Sequence, residues 1–178
     1  MEIETKILNV NSLDVIKRIT ELGAKEVLKT RFVVDWFEPK GTIENQEPWF
    51  LRIRTTSDGK SEATWKANRK FLGAASQHKE INLTTEDPET LGELFQALGL
   101  EKYAHQEKDR ISFILDDWRF DLDQYPEIPA YLEIEGKGEE HIQEAIKLLN
   151  LENNKATPLG ERVVIQSEYG KNWHSMYF

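Results

Sequence analysis

Charged and apolar residues alternate strictly in the strand-like segments of this chain, and this alternation constrains the fold more than any other feature. In the first segment Glu2, Glu4 and Lys6 are separated by Ile3 and Thr5. Because side chains two residues apart lie on the same face of a β-strand, the pattern predicts one charged row and one mostly apolar row. Neighbouring carboxylates in the charged row repel each other at short range. The row is therefore either an ordinary solvated face or a binding site.

The same alternation recurs in six further segments. Their charged rows contain Arg52 and Arg54; Glu62 and Lys66; Glu80; Lys108 and Arg110; Arg119, Asp121 and Asp123; and Glu133 and Glu135. An antiparallel sheet with one face in water would explain any single row. If the sheet closes with its charged face inward, however, acids and bases converge on one polar interior.

The rest of the pattern predicts an α+β fold with about eight mainly antiparallel strands. Helical spacing and capping residues predict helices at residues 11–23, 87–99 and 138–150, and a fourth that begins near Thr157. Residues 41–48 and 69–76 are predicted to be loops. Strand-rich chains of this kind often close into a barrel, which removes exposed sheet edges. Amphipathic helices would then cover the apolar outer face.

Composition narrows the functional classes. The 178 residues fit one domain, and the net charge of -9 argues against binding to a nucleic-acid duplex. The absence of cysteine excludes thiolate chemistry and disulfides. No apolar run approaches the roughly 20 residues of a membrane span, and the N-terminus does not resemble a signal peptide. We therefore expect a cytoplasmic protein that does not bind a membrane.

The charged rows suit one kind of chemistry. Hard divalent cations such as Mg²⁺ and Mn²⁺ take carboxylate oxygens as ligands, and arginine and lysine bind phosphate oxygens. A metal that bridges a polyphosphate neutralises developing charge and lowers the pKa of a bound water. Inward-facing rows would therefore suit a metal-bound phosphate chain.

The segment Glu2-Ile3-Glu4-Thr5-Lys6 resembles the ExExK signature of the CYTH superfamily, the triphosphate tunnel metalloenzymes. The later motifs arrive in the order of that family, and the resemblance covers nearly the whole chain. They are Arg52-Ile53-Arg54, Thr64-Trp65-Lys66, Glu80, Lys108 with Arg110, Asp121 with Asp123, and Glu133-Ile134-Glu135-Gly136. The resemblance implies a single CYTH domain over residues 1–178, built as an eight-stranded antiparallel barrel with a charged interior.

The resemblance also implies roles for the inward residues. Glu2, Glu4, Glu133 and Glu135, with Asp121 or Asp123, would bind one or two Mg²⁺ or Mn²⁺ ions. Lys6, Arg52, Arg54, Lys66 and Arg110 would bind the triphosphate, with Lys108 as a further substrate-binding candidate. Within these sets, Glu4, Lys6, Arg54, Lys66 and Arg110 are the candidate catalytic residues. Glu80 is expected on the inner wall.

The expected partner is a small triphosphate molecule, and three functions remain open. The first is metal-dependent hydrolysis of tripolyphosphate or of a nucleoside or thiamine triphosphate. The second is class IV, CyaB-type, adenylate cyclase activity, which makes cyclic AMP and pyrophosphate from ATP. The third is non-catalytic binding of polyphosphate or nucleotide. Both Glu-x-Glu pairs are intact, which favours an enzyme; a homodimer is one open assembly state.

Overall fold

The computed structural model describes residues 2–42 and 49–178, except for the side chains of Glu2, Asn68, Arg69 and His78. This part of the chain forms ten β-strands and four α-helices. The strands are β1 (Glu2–Ile7), β2 (Lys25–Pro39), β3 (Trp49–Thr56), β4 (Ser61–Leu72), β5 (Ala75–Thr85), β6 (Leu100–Leu115), β7 (Trp118–Gln124), β8 (Tyr131–Gly136), β9 (Ala156–Thr157) and β10 (Ser175–Met176). The helices are α1 (Ser12–Glu21), α2 (Pro88–Ala97), α3 (Glu139–Leu148) and α4 (Glu161–Tyr169).

The strands form one large sheet in the order β10-β6-β2-β3-β4-β5-β1-β8-β7, with β9 beside β1 and a further pairing between β6 and β7. All the long pairs are antiparallel, and only the short strand β10 runs parallel to its neighbour among the described pairs. The predicted α+β fold with a large antiparallel sheet is confirmed. The predicted number of eight strands is wrong, because β9 and β10 have two residues each and are too short to show alternation. Closure into a barrel remains a prediction.

Two local predictions are corrected. The loop predicted at residues 69–76 is a hairpin, in which β4 runs to Leu72 and β5 begins at Ala75 around Gly73. A register shift between Ala67 and Lys70 adds an unpaired residue to the strand, which breaks the two-residue period on which the prediction relied. The positive φ of Gly73, +58°, allows the tight turn. The other predicted loop is at residues 41–48. Its residues from 43 onward lie outside the described residues.

The C-terminal helix begins at Glu161, four residues later than predicted. Thr157 instead pairs with Lys6 in the short strand β9. Helices α1 and α2 start where their capping residues indicate. The Asn11 side chain accepts hydrogen bonds from the backbone N–H groups of Leu13 and Asp14, and Asp87 accepts one from Thr90. None of the described helices is both long and apolar enough to cross a membrane.

The outer apolar rows of β1, β6, β7 and β8 pack beneath α1 and α3. Ile7, Phe120, Leu132 and Ile134 of the strands belong to one buried cluster, and Ile142 and other residues of the two helices complete it. The core therefore lies outside the sheet on this side. This arrangement leaves the opposite, charged rows to face the interior.

Strand β2 departs from this pattern because its inner row is apolar. Phe32, Val34 and Trp36 are almost completely buried and share a second cluster with Val164 of α4 and with Trp173. The C-terminal segment therefore packs against the inner face of the sheet rather than its outside. The interior has one apolar side as a result.

We expect Ile134→Ala to lower the free energy of unfolding by about 2–5 kcal/mol. Ile134 has no solvent exposure, so the truncation leaves a cavity in the core. Leu13→Ala is the matched control, since that side chain is 79% exposed on α1 and its truncation should change the free energy by less than about 0.5 kcal/mol. Urea unfolding curves measure both values. Equal effects of the two variants would contradict the described core.

Candidate functional site

The charged rows line one cavity of about 920 Å³. Ten of the twelve residues named from the sequence as site candidates lie in its wall. They are Glu4, Lys6, Arg52, Arg54, Lys66, Lys108, Arg110, Asp121, Glu133 and Glu135. Asp123 is not part of the wall, and the Glu2 side chain lies outside the described residues. Glu80 lines the cavity as expected.

Strands β1 and β8 supply an acidic side of the cavity. Their antiparallel register places Glu4 opposite Glu135 and Lys6 opposite Glu133. The Lys6 ammonium is 2.9 Å from a Glu133 oxygen and 3.6 Å from a Glu4 oxygen. Burial alone would lower the pKa of Lys6, but the attraction of Glu133 and Glu4 outweighs it and raises this pKa above its usual value. Lys6 is therefore a fixed positive charge between two carboxylates.

Strands β6 and β7 contribute a buried ion cluster next to the acidic side. Arg110 Nε lies 2.5 Å from one Asp123 oxygen, and its Nη1 lies 2.5 Å from an Asp121 oxygen. Lys108 donates to Asp123 at 2.9 Å, and the Tyr131 hydroxyl donates to it at 3.0 Å. Asp123 is fully buried, and although burial would raise its pKa, Arg110 and Lys108 hold that pKa well below its usual value. Its oxygens are thus already engaged by protein donors.

A basic side is built by β3 and β4. Arg54 pairs with Glu62 at 3.1 Å and Lys66 with Glu80 at 2.6 Å. Burial, followed by the like charges of Arg52 and Arg110, lowers the pKa of Arg54 to about 10. The Arg54 guanidinium still carries its proton at neutral pH. The like charges of Arg52 and Arg110 therefore add to the effect of burial at this point.

Arg52 differs from the other cations of the wall. Among the described residues it has no carboxylate within ion-pair distance, and its Nε is buried without a hydrogen-bond partner. Its guanidinium carbon lies 5.5 Å from the centre of the Trp36 ring. A buried donor without an acceptor is costly in a finished core, so this group is suited to an anionic ligand.

Several wall residues were not named as site candidates from the sequence. Glu62 and Arg119 belong to rows that the alternation had located, so their positions could have been inferred. Glu161, Arg162 and Trp173 come from the C-terminal segment, where no periodic signal marks them. Glu161 accepts a hydrogen bond from Lys108 at 3.0 Å and one from Tyr131 at 3.3 Å. The tail therefore completes the buried ion cluster.

A metal-binding set is not preformed among the described side chains. No group of three or more carboxylates or imidazoles in that part of the chain is close enough to hold an ion. Glu4, Asp121, Glu133 and Glu135 nevertheless line the same cavity. All are hard oxygen donors of the kind that Mg²⁺ and Mn²⁺ take.

We expect the stability contribution of Glu161 to depend on pH. Burial alone would raise its pKa, but Lys108 and Arg52 lower it to about 2 from its ordinary value of 4.5. Because the folded-state pKa is depressed, the contribution is present above about pH 4.5 and is lost as the pH falls towards 2. Glu161→Gln should therefore cost on the order of 2–3 kcal/mol at pH 6 and much less near pH 3. Urea unfolding at several pH values measures the difference.

Glu168→Gln on the same helix is the control. Glu168 pairs with Lys155 near the surface, where such pairs contribute about 0–1 kcal/mol. A pH-independent effect of Glu161→Gln, or an equal effect of both substitutions, would contradict the buried ion pair.

Comparisons with known proteins agree with this architecture. A protein from Pyrococcus horikoshii OT3 superposes with a TM-score of 0.76 at 28% identity, over 90% of this chain and 96% of the other. A Hippeastrum protein provisionally assigned as an adenylyl cyclase, with a dominant triphosphatase activity, has a TM-score of 0.69 at 14% identity over 97% of both chains. A protein from Vibrio parahaemolyticus provisionally assigned as an adenylate cyclase has a TM-score of 0.65 at 14% identity, over 84% of this chain and 83% of the other.

The last two likenesses are evidence of a shared fold alone. No curated protein matches the chain. The CYTH domain family model matches residues 1–160, which is most of the sequence and includes every charged row named above. The chain therefore belongs to the CYTH domain family.

Proposed function

We propose that this protein is a Mg²⁺- or Mn²⁺-dependent enzyme that hydrolyses the terminal phosphoanhydride bond of a triphosphate. The observation that carries the proposal is the division of one cavity into an acidic side on β1 and β8 and a basic side on β3 and β4. Membership of the CYTH family supports action on a triphosphate in general. Tripolyphosphate and nucleoside or thiamine triphosphates are the candidate substrates.

A tunnel is the shape that best fits the strand pairing. Following the pairs from β6 through β2, β3, β4, β5, β1, β8 and β7 leads back to β6. In this order β3 and β8 are four strands apart in either direction. Arg52 and Arg54 would then face Glu133 and Glu135 across the interior, so that a phosphate chain could lie between them.

The charge of the cavity wall supports a need for metal. The wall contains eight cationic and seven carboxylate side chains. They are Lys6, Arg52, Arg54, Lys66, Lys108, Arg110, Arg119 and Arg162, and Glu4, Glu62, Glu80, Asp121, Glu133, Glu135 and Glu161. Such a nearly neutral wall does not by itself balance the several negative charges of a triphosphate. Divalent ions on the acidic side would supply the missing positive charge.

We assign metal binding to Glu4, Glu133, Glu135 and Asp121, with Glu2 as a further candidate. Asp121 is favoured over Asp123, because Asp121 lines the cavity, whereas Asp123 is fully buried and is not part of the cavity wall. The bound ion would neutralise charge on the phosphates and lower the pKa of a water molecule. Asp123 would act instead by fixing the orientation of Arg110.

The cationic side chains of the cavity wall are assigned to substrate binding. Arg52 and Arg54 would bind phosphate oxygens on the basic side, and Lys66 would add a third positive charge. Arg110, held by two aspartates, and Lys6, held by two glutamates, would present fixed positive charges to the phosphate chain without reorganisation. Lys108 is engaged by Asp123 and Glu161, so we give it a smaller part in substrate binding.

We also propose that residues 1–178 form a single domain in the cytoplasm. Val164 and Trp173, which lie beyond the family match, share a buried cluster with Phe32 and Trp36. A common core of this kind is expected of one folding unit.

A product assay tests the function directly. The purified protein is incubated separately with tripolyphosphate, ATP and thiamine triphosphate, with Mg²⁺, with Mn²⁺ or with a chelator, and products are resolved by ³¹P NMR. We expect orthophosphate and a shortened chain only when metal is present. Cyclic AMP and pyrophosphate from ATP would make the protein a cyclase instead. The absence of any metal-dependent product would overturn the proposed hydrolysis.

We expect Glu4→Gln to lower kcat/KM by at least about 100-fold and to weaken Mn²⁺ binding in calorimetry, because it removes a proposed ligand. The free energy of unfolding should change by no more than about 1 kcal/mol, since Lys6 keeps Glu133 as its partner. Glu93→Gln on the exposed face of α2 is the control. Turnover like that of the wild type in Glu4→Gln would contradict the metal assignment.

We expect Arg52→Ala to raise KM by about 10- to 100-fold, because a charge-assisted contact of about 1.5–3 kcal/mol is lost. Arg52 has no described carboxylate within ion-pair distance, but its charge lowers the pKa of the buried Glu161, so the unfolding midpoint should fall, by less than it does in Glu161→Gln. Arg31→Ala, which alters an exposed pair with Asp109, is the control. An unchanged KM of Arg52→Ala in steady-state kinetics would contradict the assignment of Arg52 to phosphate binding.

A further inference from the structure

Arg119 is a cation of the cavity wall to which the proposed function assigns no part. It lies on the inner row of β7, where strand pairing places it opposite Glu135 of β8. Its Nε donates to Oδ1 of Asp121 at 3.0 Å, and its Nη2 donates to the Ser112 hydroxyl at 3.2 Å. Arg119 therefore contacts one carboxylate to which we assign metal binding and lies opposite a second.

We propose that Arg119 competes with the divalent ion for Asp121, so that its guanidinium neutralises this carboxylate while metal is absent and leaves it when Mg²⁺ or Mn²⁺ binds. This inference rests on the proposed function and adds a residue that sets the affinity of the site for metal. Arg119 would thus act on the metal ligands rather than on the phosphate chain.

Both oxygens of Asp121 are engaged by arginines. Arg119 contacts Oδ1, and Nη1 of Arg110 lies 2.5 Å from Oδ2. Mg²⁺ and Mn²⁺ bind through carboxylate oxygens. An ion on either oxygen of Asp121 would lie close to a guanidinium, and like charges at such a distance repel each other strongly where little water screens them. One arginine must therefore move away before Asp121 can hold an ion.

Burial and the number of partners indicate that Arg119 is the arginine that moves. The Arg110 side chain is only 8% exposed, and Asp123 binds it through further hydrogen bonds, so its removal from the cluster would be costly. The Arg119 side chain is 37% exposed. Water can replace the contacts of an ion pair with that much exposure at a small cost in free energy. The ion would then take Oδ1, while Arg110 keeps Oδ2.

The alternative role for Arg119 is to orient Asp121 as a metal ligand, and this alternative predicts the opposite effect of a substitution. Loss of a partner that orients a ligand typically weakens metal binding by about 10- to 100-fold. Loss of a competing cation strengthens metal binding instead. The sign of the change in metal affinity therefore distinguishes the two roles.

Titration calorimetry with MnCl₂, without a triphosphate, measures this sign. We expect Arg119→Gln, which removes the charge and keeps most of the side-chain length, to bind Mn²⁺ about five- to tenfold more tightly than the wild type. Arg119→Lys keeps a positive charge and should stay within about threefold of the wild-type affinity. Arg31→Gln is the matched control, because it removes the same charge from an exposed pair with Asp109 that is not in the cavity wall.

Thermal unfolding gives a second readout. Without metal, Arg119→Gln should unfold at a lower temperature than the wild type, because Asp121 loses a donor. Saturating Mn²⁺ should raise its unfolding midpoint by more than it raises that of the wild type, since a ligand that binds more tightly stabilises the folded state more. Equal increases in the two proteins would contradict the competition.

An unchanged or weaker Mn²⁺ affinity in Arg119→Gln would overturn the inference, and so would the absence of Mn²⁺ binding to either protein. Equal tightening in Arg31→Gln would show an effect of net charge, and equal tightening in Arg119→Lys would show an effect of shape; either result would also overturn it. Hydrolysis is measured separately. Competition for Mn²⁺ without turnover of any triphosphate would overturn the proposed function alone, whereas metal-dependent turnover without competition would overturn this inference alone.

Discussion

The buried carboxylate of Asp123 is the group on which the interior of this protein depends. It has no contact with solvent, and it accepts hydrogen bonds from Arg110, Lys108 and Tyr131. A charge removed from water must be compensated by close partners, because its desolvation costs several kcal/mol or more. These partners come from β6 and β8, and Lys108 continues to Glu161 on α4. One anion thus joins three strands and a helix through mutually dependent charges.

The remaining cavity charges are organised around this fixed cluster. Lys6 is held by Glu133 and Glu4, whereas Arg52 lacks a described anionic partner and Arg54 has a lowered pKa of about 10. Arg54 and Lys66 are each paired with one carboxylate, so Arg52 is the cation of the basic side that has no carboxylate among the described residues within ion-pair distance. Such an arrangement suits an anion that binds together with divalent cations. The carboxylates would bind the cations, and the arginines would bind the anion.

Much of the strand framework could be predicted because alternation is a local property of the sequence. The rows containing Glu4, Arg54, Lys66 and Arg110 all face the cavity, as the two-residue period indicates. The two-residue period could not show which of Asp121 and Asp123 lines the cavity, since both occupy the same face of β7. That distinction depends on cross-strand pairing, in which Asp123 lies opposite Arg110. The hairpin at residues 69–76 was missed because a register shift interrupts the period there.

The inner row of β2 shows a second limit of alternation. Phe32, Val34 and Trp36 form an apolar row, and alternation alone assigns such a row to the outside of a charged barrel. Nothing near β2 in the sequence shows that Trp173, more than 130 residues away, will cover this row from within. Contacts at such separation are decided by how the finished surfaces fit, which local patterns do not encode.

The C-terminal segment therefore affects the chemistry of the cavity more than its secondary structure suggests. It supplies Glu161 to the ion cluster and Trp173 to the cavity wall, and it buries the inner apolar row of β2. Charges in a drier interior interact more strongly than charges in water, so packing of this segment strengthens the ion pairs beneath it. The strand rows can then stay the same while residues of the tail alter the shape of the cavity. In this way a common fold can serve different substrates.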